Sequence, residues 1–255
     1  MPEQSCPAVD RDAIARFFSG RKIDAYGIAE VSRIHAPAGR HPRDLLAGCR
    51  TIIIIGTLMP DRIFTDAGRT EATREIKETL ESAAADCTGW LVHAGAGAVP
   101  IMPSLPMKIE DGKLRGLLSL KHCAADAGFG TLGDNTLLVH PVFGNRLALA
   151  AVLTNLALDP TPLAATLPAC THCNRCVKAC PEGAIQGGTV DITKCRNMTD
   201  YIPGPLRGVS WKLMRGKMSG RILTSLLNAA GPYLAIESGC TACMIACPYF
   251  QIEKR

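Results

Sequence analysis

Apolar residues recur in different rhythms along this chain, and each rhythm predicts a different kind of element. Residues 9–18 set Ile14, Phe17 and Phe18 on one face of a short helix. Ala25–Val31 and Thr51–Leu58 are strand-sized apolar runs, and the second has no polar alternation, which predicts a strand covered on both faces. His41–Cys49 predicts a short helix leading into that strand. From Thr70 to Leu91 the residues Ala72, Ile76, Leu80, Ala84, Cys87 and Leu91 form the apolar stripe of an amphipathic helix. Arg74 with Glu78 and Lys77 with Glu81 pair across one turn of its wet face. Cys87 lies in the stripe and reads as a small core residue.

Gly and Pro crowd Ala94–Pro106, which predicts a loop with a short strand near Val99–Met102. Helical spacing returns over Gly116–Ala127 through Leu117, Leu120, Ala124 and Ala127. Strands at Thr136–His140 and Arg146–Thr154 follow, joined by a turn at Pro141–Asn145. Pro160, Pro162 and Pro168 mark Asp159–Pro168 as a linker. The expected organisation is a mixed α/β domain over residues 1–158, a linker over 159–168, and a small cysteine-dense domain over 169–255 built on metal.

A length of 255 residues suffices for one large and one small domain. With 47% hydrophobic and 20% charged residues the composition is that of a globular protein and excludes disorder. Aromatics at 5% leave few stacking platforms, and a net charge of +5 suits an acidic partner or anionic cofactor without being a nucleic-acid footprint. No stretch reaches the roughly 20 apolar residues of a membrane span. Met1–Asp10 lacks a basic region followed by an apolar one, so the expected location is cytoplasmic.

The cysteines change the picture most. Eight of the twelve follow Ala169 in clusters, which in a reducing compartment points to metal or redox chemistry. The first run is Cys170-x2-Cys173-x2-Cys176-x3-Cys180-Pro181, the spacing that wraps a loop around a four-iron cubane and sends the fourth thiolate to a second cluster. Zinc, which favours two separated ligand pairs, fits this run poorly. The second run, Cys240-x2-Cys243-x3-Cys247-Pro248, repeats the last three members of the first, and Cys195 is the only other cysteine between the runs. The crossing rule then assigns Cys170, Cys173, Cys176 and Cys247 to one [4Fe–4S] cluster and Cys180, Cys195, Cys240 and Cys243 to the other. Two adjacent clusters suit one-electron hopping; the plainer reading is that they only staple a small fold.

Gly128-Phe-Gly130-Thr-Leu-Gly133 matches the dinucleotide signature G-x-G-x-x-G, but it follows a helix and precedes a strand, the reverse of the required order. What the glycines do imply is tight turns and close backbone approach, to a ligand or to a neighbouring strand.

Ser119-Leu-Lys121-His122-Cys-Ala-Ala-Asp-Ala-Gly128 and the following Phe-Gly130-Thr-Leu-Gly133-Asp-Asn135-Thr136-Leu-Leu-Val, with Leu153-Thr154 and the cysteine runs, resemble the epoxyqueuosine reductase family. Ala25-Tyr-Gly27-Ile28-Ala29 and Pro42-Arg-Asp-Leu45-Leu46-Ala-Gly48 are similar to it as well, so the resemblance runs from about Ile23 to Phe250. The family is related to corrinoid-dependent reductive dehalogenases. The resemblance implies a nitroreductase-like α+β domain, hence an α/β fold class, followed by a two-cluster domain like a bacterial ferredoxin. It also implies a cobamide fed with electrons by the clusters, near Gly128, Gly130 and Gly133; Lys121 and His122 sit beside that loop as candidate contacts to its polar side chains, His122 reading equally as a plain helix-surface residue. No histidine sits in an Asp-x-His-x-x-Gly pattern, so such a cobamide is expected base-off.

Two departures stand out. The family's proton-donating aspartate has no counterpart in Ile101-Met-Pro-Ser104-Leu-Pro106, and the chain reads as a short form without C-terminal helical repeats. Epoxyqueuosine in tRNA is therefore not the expected substrate; a small molecule or a partner enzyme is, with reduced ferredoxin or flavodoxin as electron donor. Glu110, Asp111 and Asp134 are candidate proton donors, although acids in a loop usually just face water, and His172 in the cluster loop reads as a neutral bystander before a support for a ligating cysteine. The insert at 196–239 is basic: Trp211, Met214, Met218 and Ile222 recur at helical spacing, with Arg215, Lys217 and Arg221 on the other face. It predicts a helix packed on the cluster domain, or a docking face for an acidic electron donor or an anionic membrane.

Overall fold

The computed structural model describes residues 9–65, 68–103, 107–110, 113–162, 166–167, 169–192, 194–196, 225 and 239–250. Strand β2 (Thr51–Leu58) is its axis, and its side chains alternate between two cores. Ile52 and Ile54 enter one core and Ile53 and Ile55 the other, all four fully buried. The sheet runs β1–β2–β8–β3, with β1 at Ala25–Glu30, β3 at Ala98–Ile101 and β8 at Leu147–Thr154. Every neighbouring pair is antiparallel, and Ile54 lies opposite Gly27 on one side and Ala151 on the other. The unbroken apolar run thus reports two covered faces and not a parallel direction.

One face is covered by α1 (Arg11–Phe18) and α3 (Arg69–His93), through Ile14, Phe18, Leu80, Ala84, Cys87 and Leu91. Helix α1 starts where the Asp10 carboxylate accepts the Ala13 N–H at 2.6 Å. Burial pushes the Cys87 thiol up to about 12, so it is a neutral core group. The other face is covered by the segment that holds α2 (Pro42–Leu45), and by α4 (Leu120–Asp126) with the glycine-rich loop after it. Thr161 closes the outer edge of β1: Ile28 N–H donates to its hydroxyl and its own N–H donates to the Ile28 carbonyl, both at 2.9 Å. Part of the expected linker is therefore pinned along the sheet.

Some local expectations need correction. The helix expected from Gly116 begins at Leu120; Gly116 instead ends β5 (Lys113–Gly116), which forms a hairpin with β4 (Met107–Glu110). Met107-Lys-Ile-Glu110 and Lys113-Leu-Arg-Gly116 do alternate, but each strand is only four residues long and the helical spacing that follows overshadows so short a repeat. The strand expected from Thr136 begins at Leu138, because Thr136 takes a left-handed conformation (φ +57°) in the turn between β6 (Thr131–Leu132) and β7 (Leu138–Val139). The cysteine-rich region holds α5 (Arg175–Ala179), a hairpin of β9 (Ile185–Gln186) and β10 (Thr189–Val190), α6 (Ala242–Ile245), and a 3-10 turn at Pro248–Phe250. No helix among the described residues is long and apolar enough to cross a membrane.

Candidate metal centre

The first cysteine run curls because two of its non-glycine residues, His172 (φ +51°) and Asn174 (φ +57°), are left-handed. Arg175 then starts α5, which carries Cys176, while α6 carries Cys243 and packs against α5. Cys180 follows α5, and its sulfur accepts the Ala184 N–H at 3.2 Å, the kind of bond that lowers charge on a ligating thiolate.

The thiols crowd one another. Burial pushes Cys243 up to about 11, and the charges that add to this come from Cys240, Cys195, Cys180 and Cys176. Cys247 is raised by burial and lowered by the Tyr249 N–H, and the thiols that raise it further are Cys173 and Cys170. Cys176 is raised first by burial, and the charges of Asp134 and Cys247 add to this. Sulfurs crowded in this way repel one another as thiolates and ionise together only around bound cations, so the donor set fits thiolate-ligated metal. Cys170, Cys173, Cys176 and Cys247 line one cavity, whose wall also includes Gly133, Asp134 and Asn135 of the glycine-rich loop.

That wall contains residues whose role the linear sequence does not reveal. Asp134, expected to face water, pairs with His172 at 2.9 Å and is 16% exposed. Asn135 is buried; its amide donates to the Cys243 carbonyl at 3.2 Å, and its oxygen accepts the Leu137 N–H at 3.3 Å. An asparagine in Gly133-Asp-Asn-Thr136 reads as a turn residue, and only its distant partner shows otherwise.

The expected cofactor residues are engaged by their own chain. Gly128 (φ +76°) ends α4, with its N–H on the Ala125 carbonyl and that of Phe129 on Ala124, the paired bonds of a Schellman cap. A Cβ on Gly130 would stand 2.4 Å from the Val139 carbonyl oxygen, so that glycine allows β6 and β7 to close. On Gly133 a Cβ would meet the Asn135 side chain at 3.0 Å. Lys121 donates to the Thr136 hydroxyl at 2.8 Å, and burial lowers its pKa while Cys195 offsets part of this. His122 is exposed and pairs with Ser119.

His140, two residues beyond β6's partner strand start, is a neutral core histidine. Its Nδ1 accepts the N–H groups of Val142 and Phe143 at 3.1 and 3.2 Å, and burial pushes its pKa down to about 4. Ser104–Pro106 and Asp111 lie outside the described residues, as do residues 197–224 and 226–238 of the basic insert.

Comparison with known proteins agrees with this geometry. Residues 169–186 match the 4Fe-4S binding domain model. The chain is 29% identical over 159 residues to the epoxyqueuosine reductase of Listeria monocytogenes, covering 58% of this chain and 33% of that protein. It is 25% identical over 256 residues to that of a Synechococcus strain, covering 90% and 64%. This chain resembles the epoxyqueuosine reductases. It spans between about a third and two thirds of the length of these two relatives. In fold it is similar to a solved epoxyqueuosine reductase (TM-score 0.59, 17% identity, 94% of this chain and 65% of that one). It is also similar to a catabolic reductive dehalogenase solved with 3-bromo-4-hydroxybenzoic acid (TM-score 0.53, 15% identity, 92% and 39%). One epoxyqueuosine reductase of the same fold was solved with a tRNA-Tyr stem loop (TM-score 0.59, 16% identity, 94% and 65%), so the expectation that tRNA is excluded finds no support among the relatives.

Proposed function

We propose that this chain is an iron–sulfur oxidoreductase of the epoxyqueuosine reductase type, in which two [4Fe–4S] clusters deliver electrons to a nitroreductase-like α+β front region. Cys170, Cys173, Cys176 and Cys247 would hold one cluster and Cys180, Cys195, Cys240 and Cys243 the other. The observation that carries the reading is the shared cavity, lined both by four thiols and by Gly133–Asn135 of the front region. Clusters of this type supply low-potential one-electron storage and transfer. The chain's own part is to hold them close to the glycine-rich loop: Asn135 ties that loop to the Cys243 backbone, and Asp134 ties it to His172. Reduced ferredoxin or flavodoxin is the proposed electron donor, and a small molecule the proposed substrate.

A base-off cobamide is the electron acceptor that the likeness to corrinoid-dependent enzymes suggests. One observation favours a second reading, an electron-transfer protein without corrinoid that serves a partner enzyme: Gly128, Gly130 and Lys121 are already accounted for by packing and hydrogen bonds within the chain.

Anaerobic reconstitution tests the clusters. The protein should bind about eight irons per chain, and Cys195→Ala should lose about half of them. Four irons in the intact protein, unchanged by Cys195→Ala, would refute the ligand assignment. Titration with hydroxocobalamin under reducing conditions separates the two readings. A changed corrin spectrum supports the first; an unchanged one, with no cobalt copurifying, selects the second.

A further inference from the structure

Cysteine spacing places three thiols of the first cluster on one short loop but brings the fourth, Cys247, from far along the chain. We infer that the front-region turn Phe143–Arg146 is the seat that presents Cys247, so that this cluster closes only when the two regions are docked. The inference rests on the ligand assignment proposed above and extends it to residues that touch no metal.

The segment around Cys247 is gripped on both sides. Before it, the Met244 carbonyl accepts the Asn145 side-chain amide at 3.1 Å. After it, the Tyr249 carbonyl accepts the Asn145 backbone N–H at 3.3 Å. That carbonyl lies against the bare Cα of Gly144 (φ +55°), where a Cβ would stand 1.8 Å from the Tyr249 oxygen. No side chain fits between the turn and the segment.

Phe250 then packs edge-on against Phe64 of the front region, with ring centroids 4.6 Å apart. The Arg146 guanidinium lies 5.0 Å from both rings and donates to the Met59 carbonyl and the Asp61 carboxylate, each at 2.6 Å. Its side chain is 11% exposed, so the cation is desolvated and held by these partners.

Asn145 shows what the seat gives up for this grip. It is 2% exposed, and its side-chain oxygen has no partner among the described residues. An apolar residue would avoid that cost. The amide is explained by what its nitrogen does, which is to hold Met244. On the cysteine-rich side, the bonds of Cys247 among the described residues are local ones, to Met244, Tyr249 and Phe250, and the Tyr249 hydroxyl reaches the Ala169 carbonyl at 2.8 Å. Tyr249 thereby joins the front-region seat to the start of the first cysteine run. Binding of the metal and docking of the regions are then one linked equilibrium.

The test compares full-length variants after anaerobic reconstitution, reading iron per chain, the electron paramagnetic resonance of the reduced protein, and far-ultraviolet circular dichroism. Cys247→Ala is the reference for loss of this cluster: iron should fall by about half, and the spin-coupled spectrum of two clusters should collapse to that of one. Gly144→Val, with all eight cysteines present, should give the same loss and the same spectrum. Phe250→Ala lies outside the sheet and its helices, so it should reduce occupancy of that cluster alone while leaving the dichroism unchanged. If Gly144→Val unfolds the protein, Phe250→Ala decides. The inference is overturned if Cys247→Ala halves the iron while Phe250→Ala, and Gly144→Val where it folds, keep the full content and the coupled spectrum. Should Cys247→Ala itself retain all the iron, the ligand assignment falls instead.

Discussion

Replacing Gly130 by alanine separates two reasons for a glycine in the G-x-G-x-x-G loop, strand packing and contact with a cofactor. The new Cβ would stand 2.4 Å from the Val139 carbonyl oxygen and 3.1 Å from the Leu138 side chain. The first of these neighbours is backbone, held by the pairing of Thr131 with Val139, so it cannot rotate away as a side chain would. Overpacking of a filled interior costs about 1–3 kcal/mol, and an immovable neighbour puts this site near the upper end. In a chain of this length about 3 kcal/mol lowers Tm by roughly 6–12 °C. Gly128→Ala is the comparison, because there the left-handed backbone of the α4 cap is strained, at about 1–2 kcal/mol. Urea and thermal unfolding of protein free of corrinoid should show Gly130→Ala as the less stable of the two. If Gly130→Ala unfolds like the wild type, and the only effect is lost hydroxocobalamin binding, the glycine serves a ligand and the packing argument is wrong.

Two further outcomes are expected. His140 is held neutral by burial, with its pKa near 4 against about 6.5 when unfolded, so the unfolded chain binds the extra proton first. Its contribution is intact above the unfolded pKa and is lost as pH falls toward the folded one. Between about pH 7.5 and pH 5.5 the wild type should lose about 1.4 kcal/mol more stability than His140→Gln, measured by urea unfolding; equal slopes would show that His140 does not titrate as described. In the basic insert, reversing Arg215, Lys217 and Arg221 to Glu should slow reduction by ferredoxin at low ionic strength and leave iron content unchanged, with the difference vanishing at high salt. Rates that match the wild type across a salt series would leave that segment a packing element only.

Local periodicity determined much of the scaffold from the sequence alone. The run Thr51–Leu58 has the bounds of β2, and the stripe from Ala72 to Leu91 lies within α3, because burial on one or two faces imposes a repeat on the residues themselves. The cysteine spacing likewise pointed to thiolate-bound metal, since ligand loops are short and their geometry is local. What only the tertiary structure decided are the relations between distant segments. The direction and order of the strands depend on pairing partners such as Ile54 and Ala151, which no repeat encodes. Gly130 reads as a close-approach glycine, to a ligand or to a strand, and only the fold brings the Val139 carbonyl behind it. Asp134 reads as a solvated acid until His172 arrives from the cluster loop, and Asn145 reads as a turn residue until Met244 and Tyr249 close over it. A hydrogen bond between residues far apart in the chain leaves no period in either segment, so the wall and the seat of the metal centre emerge only when the chain is folded.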